Sequence, residues 1–280
     1  MALQVETSDA TCGARVTGID LAAPLDPGAV KEIRALWLRH RVIAFPGQRM
    51  DDDALERFTV AMGGFGEDPF FAAIPGREHI AAILREADET TPLFAESWHS
   101  DWSFLGEPPA GTCLLAIDIP PTGGDTLFAD QIAAFAALPD ERKDHLRSLT
   151  AIHSAKHAYA PEGAYGERDK GRSMAIRPDE SARETRTHPL VTQHPETGEE
   201  AIFSTLGYIV GIEGMEDEDA YAFLAELAKW QTQDQFVFRH RWEPDMLVMW
   251  DNRSVLHKAT GGYEGHRREL HRTTIAAYRG

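Results

Sequence analysis

Cysteine is nearly absent from the sequence: Cys12 and Cys113 are the only two in 280 residues, and they form no CxxC pair. So few and so widely spaced thiols argue against a disulfide framework and against a zinc site built from thiolates. A reducing compartment suits such a chain, and we predict a cytoplasmic protein. The N-terminal residues also lack the basic start and apolar run of a signal peptide.

Positive charge is scarce as well. Lysine and arginine total 28 against 45 aspartates and glutamates, which leaves a formal net charge of -17. Nucleic acids and anionic lipids are bound through an excess of Lys and Arg, so we expect neither as a partner. Long apolar runs are missing too. Stretches such as Leu114 to Ile117 fall far below the ~20 residues of a membrane-spanning helix.

The length fits one large domain, and we predict a single domain over residues 1–280. Near the N-terminus, apolar spacing and acidic starts predict helices over 26–40 and from 51 onward, separated by a strand over 41–45. Further along, the pattern favours short strands with helical inserts near 131–147 and 216–231. The predicted strands cover 112–118, 201–204, 235–239, 246–250 and 272–278. This pattern predicts a mainly β fold with flanking helices, either a sandwich or a jelly roll.

Residues 155–187 form a polar segment of mixed charge that contains Gly163, Gly166 and Gly171. A long segment without clear periodicity inside a compact domain is either a solvated loop or a functional lid. The residues alone leave both interpretations open.

The sharpest local motif is Trp98-His99-Ser100-Asp101. If this stretch is a strand, His99 and Asp101 project from the same face, and together they could hold a divalent metal. A short motif of this kind also arises by chance, and a hydrogen-bonded pair at a sheet edge explains it equally well.

His257, at the end of the later segment Trp250-Asp251-Asn252-Arg253-Ser254-Val255-Leu256-His257, is a candidate third ligand. Two histidines and one carboxylate form the facial triad of non-haem Fe(II) oxygenases, which leaves three adjacent metal positions open. Arg268 and Arg272 would share one face of a strand, and guanidinium suits a carboxylate ligand. The alternatives are a structural histidine and a solvated basic cluster.

Four motifs in this order, WHSD, PPTGGDTLFAD, WDNRSVLH and RRELHRTT, resemble those of the taurine and 2,4-dichlorophenoxyacetate dioxygenase family. The resemblance extends from about Val16 to Tyr278. It implies a double-stranded β-helix (jelly roll) core and an enzyme that uses Fe(II), 2-oxoglutarate and O2. It also assigns roles to six residues: His99, Asp101 and His257 as metal ligands, Arg268 and Thr126 at the far carboxylate of 2-oxoglutarate, and Arg272 near the substrate or co-substrate.

The reaction implied by this resemblance is oxidation of a small organic substrate, with succinate and CO2 as co-products. We expect a carboxylate, sulfonate or sulfate as substrate and a homo-oligomer, dimer or tetramer, as the assembly. Residues before the metal motif and at the start of the 155–187 segment are candidate pocket residues: Phe70, Phe71, Phe94, Glu96, His157 and Tyr159. Trp250 fits either the metal site or the core. The aromatic pair Phe70 and Phe71 argues against taurine itself.

Three other functions remain open from the sequence. A zinc hydrolase of similar β architecture would not need Arg268. A binding protein without activity would be expected to lack one of the triad residues. A biosynthetic oxidase of the same superfamily, performing desaturation or isonitrile formation, would keep all of these residues.

Overall fold

A computed structural model describes residues 3–278 and shows a mainly β fold with few helices, as predicted. The helices are α1 (Pro27–His40), α2 (Asp52–Met62), α3 (Gln131–Ala136), α4 (Asp140–Arg147), α5 (Lys156–Tyr159) and α6 (Asp217–Gln231), with 3-10 turns at Glu180–Arg183 and Asp234–Phe236. Strands β1 to β8 are Gln4–Thr7, Ala14–Thr17, Val42–Phe45, Ala81–Arg85, Gly111–Asp118, Thr126–Asp130, Thr150–Ser154 and Thr185–Pro189. Strands β9 to β15 are Val191–Gln193, Glu200–Ile202, Ile209–Ile212, Val237–His240, Leu247–Asp251, Val255–Ala259 and Arg268–Ile275. No helix within residues 3–278 is long and apolar enough to cross a membrane.

Both N-terminal helices begin at the predicted aspartates. The carboxylate of Asp26 accepts a hydrogen bond from the amide of Ala29, and that of Asp51 accepts one from the amide of Ala54. Such caps satisfy amides that have no partner inside the helix, which is why a helix starts there. Apolar spacing of three and four residues predicts an inward face of Val30, Ile33 and Trp37 on α1 and of Leu55, Phe58 and Met62 on α2. All of these are buried except Val30, which is partly buried and packs against the same core.

The main sheet has seven strands in the order β1-β2-β3-β13-β5-β15-β4. Successive side chains of a strand face opposite sides of a sheet. Accordingly, Ile43 and Phe45 of β3 pack with the helices, whereas Val42 and Ala44 join an apolar layer on the other face. That layer also contains Phe128 of β6 and Val255 of β14. It therefore joins the large sheet to a three-stranded sheet, β12-β6-β14.

Several predicted elements differ from the structure in extent. The helix predicted over 131–147 is two helices, α3 and α4, because Pro139 stands between them and proline disfavours helical geometry in the preceding residue. The strand predicted over 272–278 begins earlier and ends earlier, as β15. The strand predicted over 201–204 is β10, which ends at Ile202, and the strand predicted over 235–239 begins at Val237 after a 3-10 turn.

The segment 155–187 contains regular structure and is fastened to its neighbours. It includes α5, a 3-10 turn and the start of β8. The amide of Ala72 donates to the carbonyl of Ala175 at 2.8 Å, and the amide of Ser173 donates to Glu89 Oε2 at 2.9 Å. These bonds join the segment to the chain before and after β4. Its role as a lid stays a prediction.

Candidate active site

The three candidate ligands come together although their segments are distant in the sequence. His99 and His257 are joined by two backbone hydrogen bonds, of 3.1 and 2.8 Å, in an isolated β-bridge. The Nε2 atoms of the two histidines each lie 3.8 Å from Asp101 Oδ1. One potential ligand atom from each of the three residues lies within 4.8 Å of the others. Donor atoms this close can share one metal ion.

The local structure differs from the expected one in two respects. Residues 98–102 are not a strand, because Asp101 and Trp102 already belong to a turn that follows the bridge at His99. His257 does not end the strand that contains Trp250. It lies within β14, after a turn that moves the chain from the large sheet to the small one.

Both imidazoles are in the neutral form that a metal requires, and a hydrogen bond fixes the tautomer of His99. His99 Nδ1 lies 2.8 Å from the carbonyl of Ser97. A carbonyl only accepts, so the proton is on Nδ1 and Nε2 keeps its lone pair. Burial lowers the pKa of His99, and burial together with the neighbouring His99 ring lowers the pKa of His257 to about 3. Two neutral imidazoles therefore face the carboxylate.

Asp101 supplies a single free oxygen. Its Oδ2 accepts a hydrogen bond of 2.6 Å from the Thr112 hydroxyl and lies 3.3 Å from Arg272 Nη2. Burial alone would raise the pKa of Asp101, but the Arg272 guanidinium above all, together with the Thr112 hydrogen bond, lowers it to about 2. The carboxylate is thus ionised, with Oδ1 directed toward both histidines. This donor set fits a divalent ion such as Fe(II).

Arg268 is a buried cation without an anionic partner in the part of the chain that the structure describes. Its side chain is 6% exposed, and its one hydrogen bond runs from Nη2 to the carbonyl of Gly124 at 3.2 Å. The rings of Trp242 and Tyr263 each lie 5.8 Å from the guanidinium carbon. Burial lowers the pKa of Arg268. Thr126 lines the same cavity, and its hydroxyl accepts from Trp242 Nε1 at 3.0 Å.

Arg272 is also buried, but it already faces two carboxylates. Its Nη1 donates to both oxygens of Asp68 at 3.3 Å, on the side away from Asp101. The rings of Phe71 and Trp102 each lie 4.9 Å from its guanidinium carbon. This arrangement holds Arg272 against Asp101, while its edge still lines the cavity.

One cavity has all six predicted site residues in its wall. Phe71, Phe94, Tyr159 and Trp250, named from the sequence as candidates, line it as well. The other three candidates do not. Phe70 is buried behind the wall, where its ring stacks on Tyr159 at 4.8 Å. Glu96 and His157 are exposed and line an adjoining pocket on the other side of His99.

The sequence interpretation missed several cavity residues. Met174 comes from the segment 155–187, Ile83 from β4 and Tyr263 from the loop before β15. Thr112, which holds Asp101, was placed only in a predicted strand. A threonine flanked by apolar residues in a buried strand was the available signal, since a buried hydroxyl needs a hydrogen-bond partner.

Comparison with known families identifies this site. Residues 4–274 match the model of the taurine catabolism dioxygenase TauD, TfdA family. The chain belongs to this family. It is 32% identical over 269 residues to an alpha-ketoglutarate-dependent sulfate ester dioxygenase of Pseudomonas putida, covering 94% of this chain and 86% of that protein. It is 34% identical over 276 residues to the alpha-ketoglutarate-dependent 2,4-dichlorophenoxyacetate dioxygenase of Cupriavidus pinatubonensis, covering 93% of each.

Solved structures share the fold of this chain. A taurine dioxygenase from Burkholderia xenovorans superposes with a TM-score of 0.82 at 27% identity, over 99% of this chain and 90% of that one. AAD-2 in complex with Mn(II) and N-oxalylglycine superposes with a TM-score of 0.78 at 26% identity, over 100% and 99%. The family and the enzyme class expected from the sequence are therefore confirmed: the protein is a 2-oxoglutarate-dependent dioxygenase that uses Fe(II) and O2.

Proposed function

We propose that His99, Asp101 and His257 hold Fe(II), and that Arg268 and Thr126 bind the far carboxylate of 2-oxoglutarate. The observation that carries this proposal is the buried guanidinium of Arg268, in the wall of the same cavity as the three ligands: within residues 3–278 it forms no ion pair, and its Nε has no hydrogen-bond partner. A buried cation is unfavourable unless an anion accompanies it. A dicarboxylate that chelates the metal at one end and reaches Arg268 with the other supplies that anion.

Fe(II), with 2-oxoglutarate and O2, supplies an oxidant able to attack a C–H bond when all are bound. The chain contributes orientation. Neutral His99 and His257 and a single oxygen of Asp101 would hold the ion, and a three-residue ligand set of this kind would leave room for the co-substrate and O2. The aromatic and aliphatic walls around the site exclude water and so protect the oxidation from competing reactions.

The substrate we propose is a small organic anion with an apolar body, such as a sulfate ester, a sulfonate or an aryloxyalkanoate. Two observations support this class. Phe71, Phe94, Tyr159 and Met174 give the cavity that contains Arg268 an apolar part of its wall. In addition, the related proteins are dioxygenases of sulfate esters and 2,4-dichlorophenoxyacetate. The ring of Phe71 lies 4.9 Å from the guanidinium carbon of Arg272, and because of this aromatic neighbour we expect little activity with taurine.

We propose hydroxylation at a carbon beside the heteroatom. One atom of O2 enters the substrate as the hydroxyl group and the other enters succinate, while 2-oxoglutarate loses CO2. For an ester R–CH2–O–SO3⁻, the hydroxylated carbon then expels sulfate and becomes an aldehyde. The broken C–O bond takes its electron pair to the sulfate, and the hydroxyl proton is released.

An anaerobic titration tests the metal and co-substrate assignment. Fe(II) and 2-oxoglutarate added to metal-free protein should produce the weak visible charge-transfer band of the chelate. We expect the band to be lost in His99→Ala and to require more 2-oxoglutarate in Arg268→Ala. Arg267→Ala is the matched control, because Arg267 is a neighbouring arginine that pairs with Glu86, Asp118 and Glu269 at the surface. A folded, iron-loaded wild type without the band would contradict the assignment.

A panel of acids tests the substrate class. Alkyl sulfates, alkyl sulfonates, aryloxyacetates and taurine are compared by substrate-dependent formation of succinate. Activity with the first three classes and little with taurine is the expected result. Inactivity of the whole panel would refute an organic anion as substrate, and mass spectrometry of the product would distinguish hydroxylation from desaturation.

We further propose that the core is a double-stranded β-helix within one domain and that residues 155–187 form a lid. The support is the apolar layer between the seven-stranded and three-stranded sheets and the position of Tyr159 and Met174 in the cavity wall. Limited proteolysis with and without Fe(II) and 2-oxoglutarate tests the lid. Protection of sites near 160–175 on ligand binding is expected, and equal cleavage in both states would contradict it.

A cytoplasmic homo-oligomer, dimer or tetramer, is the remaining proposal. The cytoplasmic location is supported by Cys12 and Cys113, which are both buried and form no disulfide, as is typical of proteins in a reducing compartment. For assembly, the support is the family resemblance alone. Light scattering of the purified protein measures the assembly directly, and a monomer mass would refute it.

A further inference from the structure

Asn252 lies at the point where the three segments that build the metal site meet. It is 2% exposed and sits in the turn between β13 and β14, five residues before His257. Its amide N–H donates to the carbonyl of Ala110 at 3.0 Å, and its carbonyl accepts from the Ser100 hydroxyl at 2.5 Å. Ser100 stands between the ligands His99 and Asp101. The backbone of Asn252 therefore connects the turn that leads to His257 with the segment that carries the other two ligands.

The side chain of Asn252 continues this connection to Asp101. Its Nδ2 donates to the hydroxyl of Thr112 at 3.0 Å, and that hydroxyl donates to Asp101 Oδ2 at 2.6 Å. Thr112 is fully buried, at 0% exposure. The directions of both bonds follow from chemistry. The ionised carboxylate can only accept, so the single hydroxyl proton of Thr112 goes to Asp101 and its oxygen must accept from the next residue. Only the nitrogen of the Asn252 amide can donate there.

A carboxylate with one oxygen occupied presents only the other oxygen to the metal. Asp101 Oδ2 is held by Thr112 and faces Arg272 at 3.3 Å, while Oδ1 faces both imidazoles. If the carboxylate were free to rotate, it could bind the ion through both oxygens. The second oxygen would then take one of the positions that a chelating 2-oxo acid and O2 need.

We infer that Asn252 and Thr112 are positioning residues that direct one oxygen of Asp101 to the metal and fix the turn before His257. This inference rests on the proposed function, because it takes Asp101 and His257 as ligands. Neither residue lines the cavity, so neither touches the co-substrate or substrate. Hydrogen-bond partners of metal ligands typically change metal affinity 10- to 100-fold when they are removed.

The test measures metal binding rather than turnover. Co(II) is titrated into metal-free protein and followed by its visible absorption, and the Fe(II)–2-oxoglutarate band is recorded without oxygen. Thr112→Val keeps the shape of the side chain but removes the hydrogen bond to Asp101. We expect its Kd for Co(II) to rise at least about 10-fold and its Fe(II)–2-oxoglutarate band to shift or weaken. Thr112→Ser keeps the hydroxyl, and its Kd should stay within about threefold of the wild-type value, as a positioning role through that hydroxyl requires.

The matched control is Thr273→Val. Thr273 is also a fully buried strand threonine, but its hydroxyl is hydrogen-bonded to Thr59 at 2.7 Å on the helix side of the sheet. This variant should lose stability while keeping wild-type affinity for Co(II). Asn252→Ala leaves the Thr112 hydroxyl in place without its donor. It should weaken Co(II) binding in the same direction, which keeps the inference testable if Thr112→Val does not fold.

Two results would overturn the inference. The first is wild-type Co(II) affinity with an unchanged band in Thr112→Val, or in Asn252→Ala if Thr112→Val does not fold. The second is a loss of Co(II) affinity in Thr273→Val equal to that in Thr112→Val. Failure of the proposed function has a different signature. In that case His99→Ala would bind Co(II) as tightly as the wild type does.

Discussion

Replacing Arg268 by methionine should have opposite effects on the ligand-free protein and on its complex with 2-oxoglutarate. Burial of an ion costs several kcal/mol. Against this, Arg268 gains one hydrogen bond to Gly124 and contacts with the rings of Trp242 and Tyr263. The hydrogen bond contributes about 1.5 kcal/mol and each ring about 0.5 to 1 kcal/mol. Methionine fills a similar volume without a charge. We therefore expect Arg268→Met to stabilise the ligand-free protein by about 1 kcal/mol.

Binding of 2-oxoglutarate should change in the other direction. Removing one partner of a buried charge pair costs about 2 to 5 kcal/mol. Because about 1.4 kcal/mol corresponds to a tenfold change, the Kd should rise by about 30-fold to several thousand-fold. Thr126 and the metal would still hold the co-substrate in part, which favours the lower end of this range.

The assay is thermal and urea unfolding with Mn(II), a redox-inactive stand-in for iron, with and without 2-oxoglutarate. At about 100 times its Kd, a ligand adds about 2.7 kcal/mol to the stability of the wild type, and Arg268→Met should lose most of this increment. Arg267→Met is the control. It should keep the increment, since Arg267 is partly exposed and pairs only with surface carboxylates. An Arg268→Met protein that is less stable without ligand yet binds 2-oxoglutarate normally would refute the reasoning.

Three further predictions concern the surroundings of the site. Burial, opposed by Arg272, raises the pKa of Asp68 from 3.8 to about 6, so its contribution to stability is complete below about pH 4 and is lost as the pH rises through about 6. The test measures the free energy of urea unfolding of metal-free wild type and Asp68→Asn at pH 3.5 and 7.5. From the lower to the higher pH, the stability of the variant relative to the wild type should increase by about 3 kcal/mol, and parallel pH profiles would contradict this. Asp251→Ala leaves the partly buried Arg253 without its closest carboxylate, bonded at 2.5 Å, and should lower the free energy of unfolding by about 3 to 5 kcal/mol; a loss below about 1 kcal/mol would show that the pair is dispensable. Gly207→Ala would bring a Cβ within 2.9 Å of the Cβ of His99, so Co(II) affinity should fall about 10-fold or more. Unchanged affinity would mean that the loop containing residue 207 moves and His99 does not.

Local sequence signals were sufficient where the interactions are local. The first two helices begin at Asp26 and Asp51 because each carboxylate caps an amide three residues ahead, and spacing of three or four residues gives each helix its buried face. The same kind of signal fails for residues 98–102. There the pairing of His99 with a strand more than 150 residues away, followed by a turn, determines the backbone.

The same distinction between local signals and tertiary contacts applies to the site. The residue types and the order of the motifs identify the family and the candidate ligands His99, Asp101 and His257 from the sequence alone. This is possible because each ligand lies within a short motif that is recognisable without the rest of the chain. Which partner each side chain has depends on the tertiary structure. Asp68 lies 204 residues from Arg272, and Asn252 lies 140 residues from Thr112. No periodicity encodes such pairs.

Motifs and periodicity were therefore enough to predict the enzyme class, the mainly β character and the five residues proposed to bind metal and co-substrate. The packing of distant segments was needed to show that, within residues 3–278, Arg268 forms no ion pair with a carboxylate whereas Arg272 faces two. It also decided that a threonine and an asparagine orient Asp101. The physical reason is that charge compensation and hydrogen-bond direction depend on distances of a few ångströms between side chains, and those distances arise only when sheets and turns from distant parts of the chain meet.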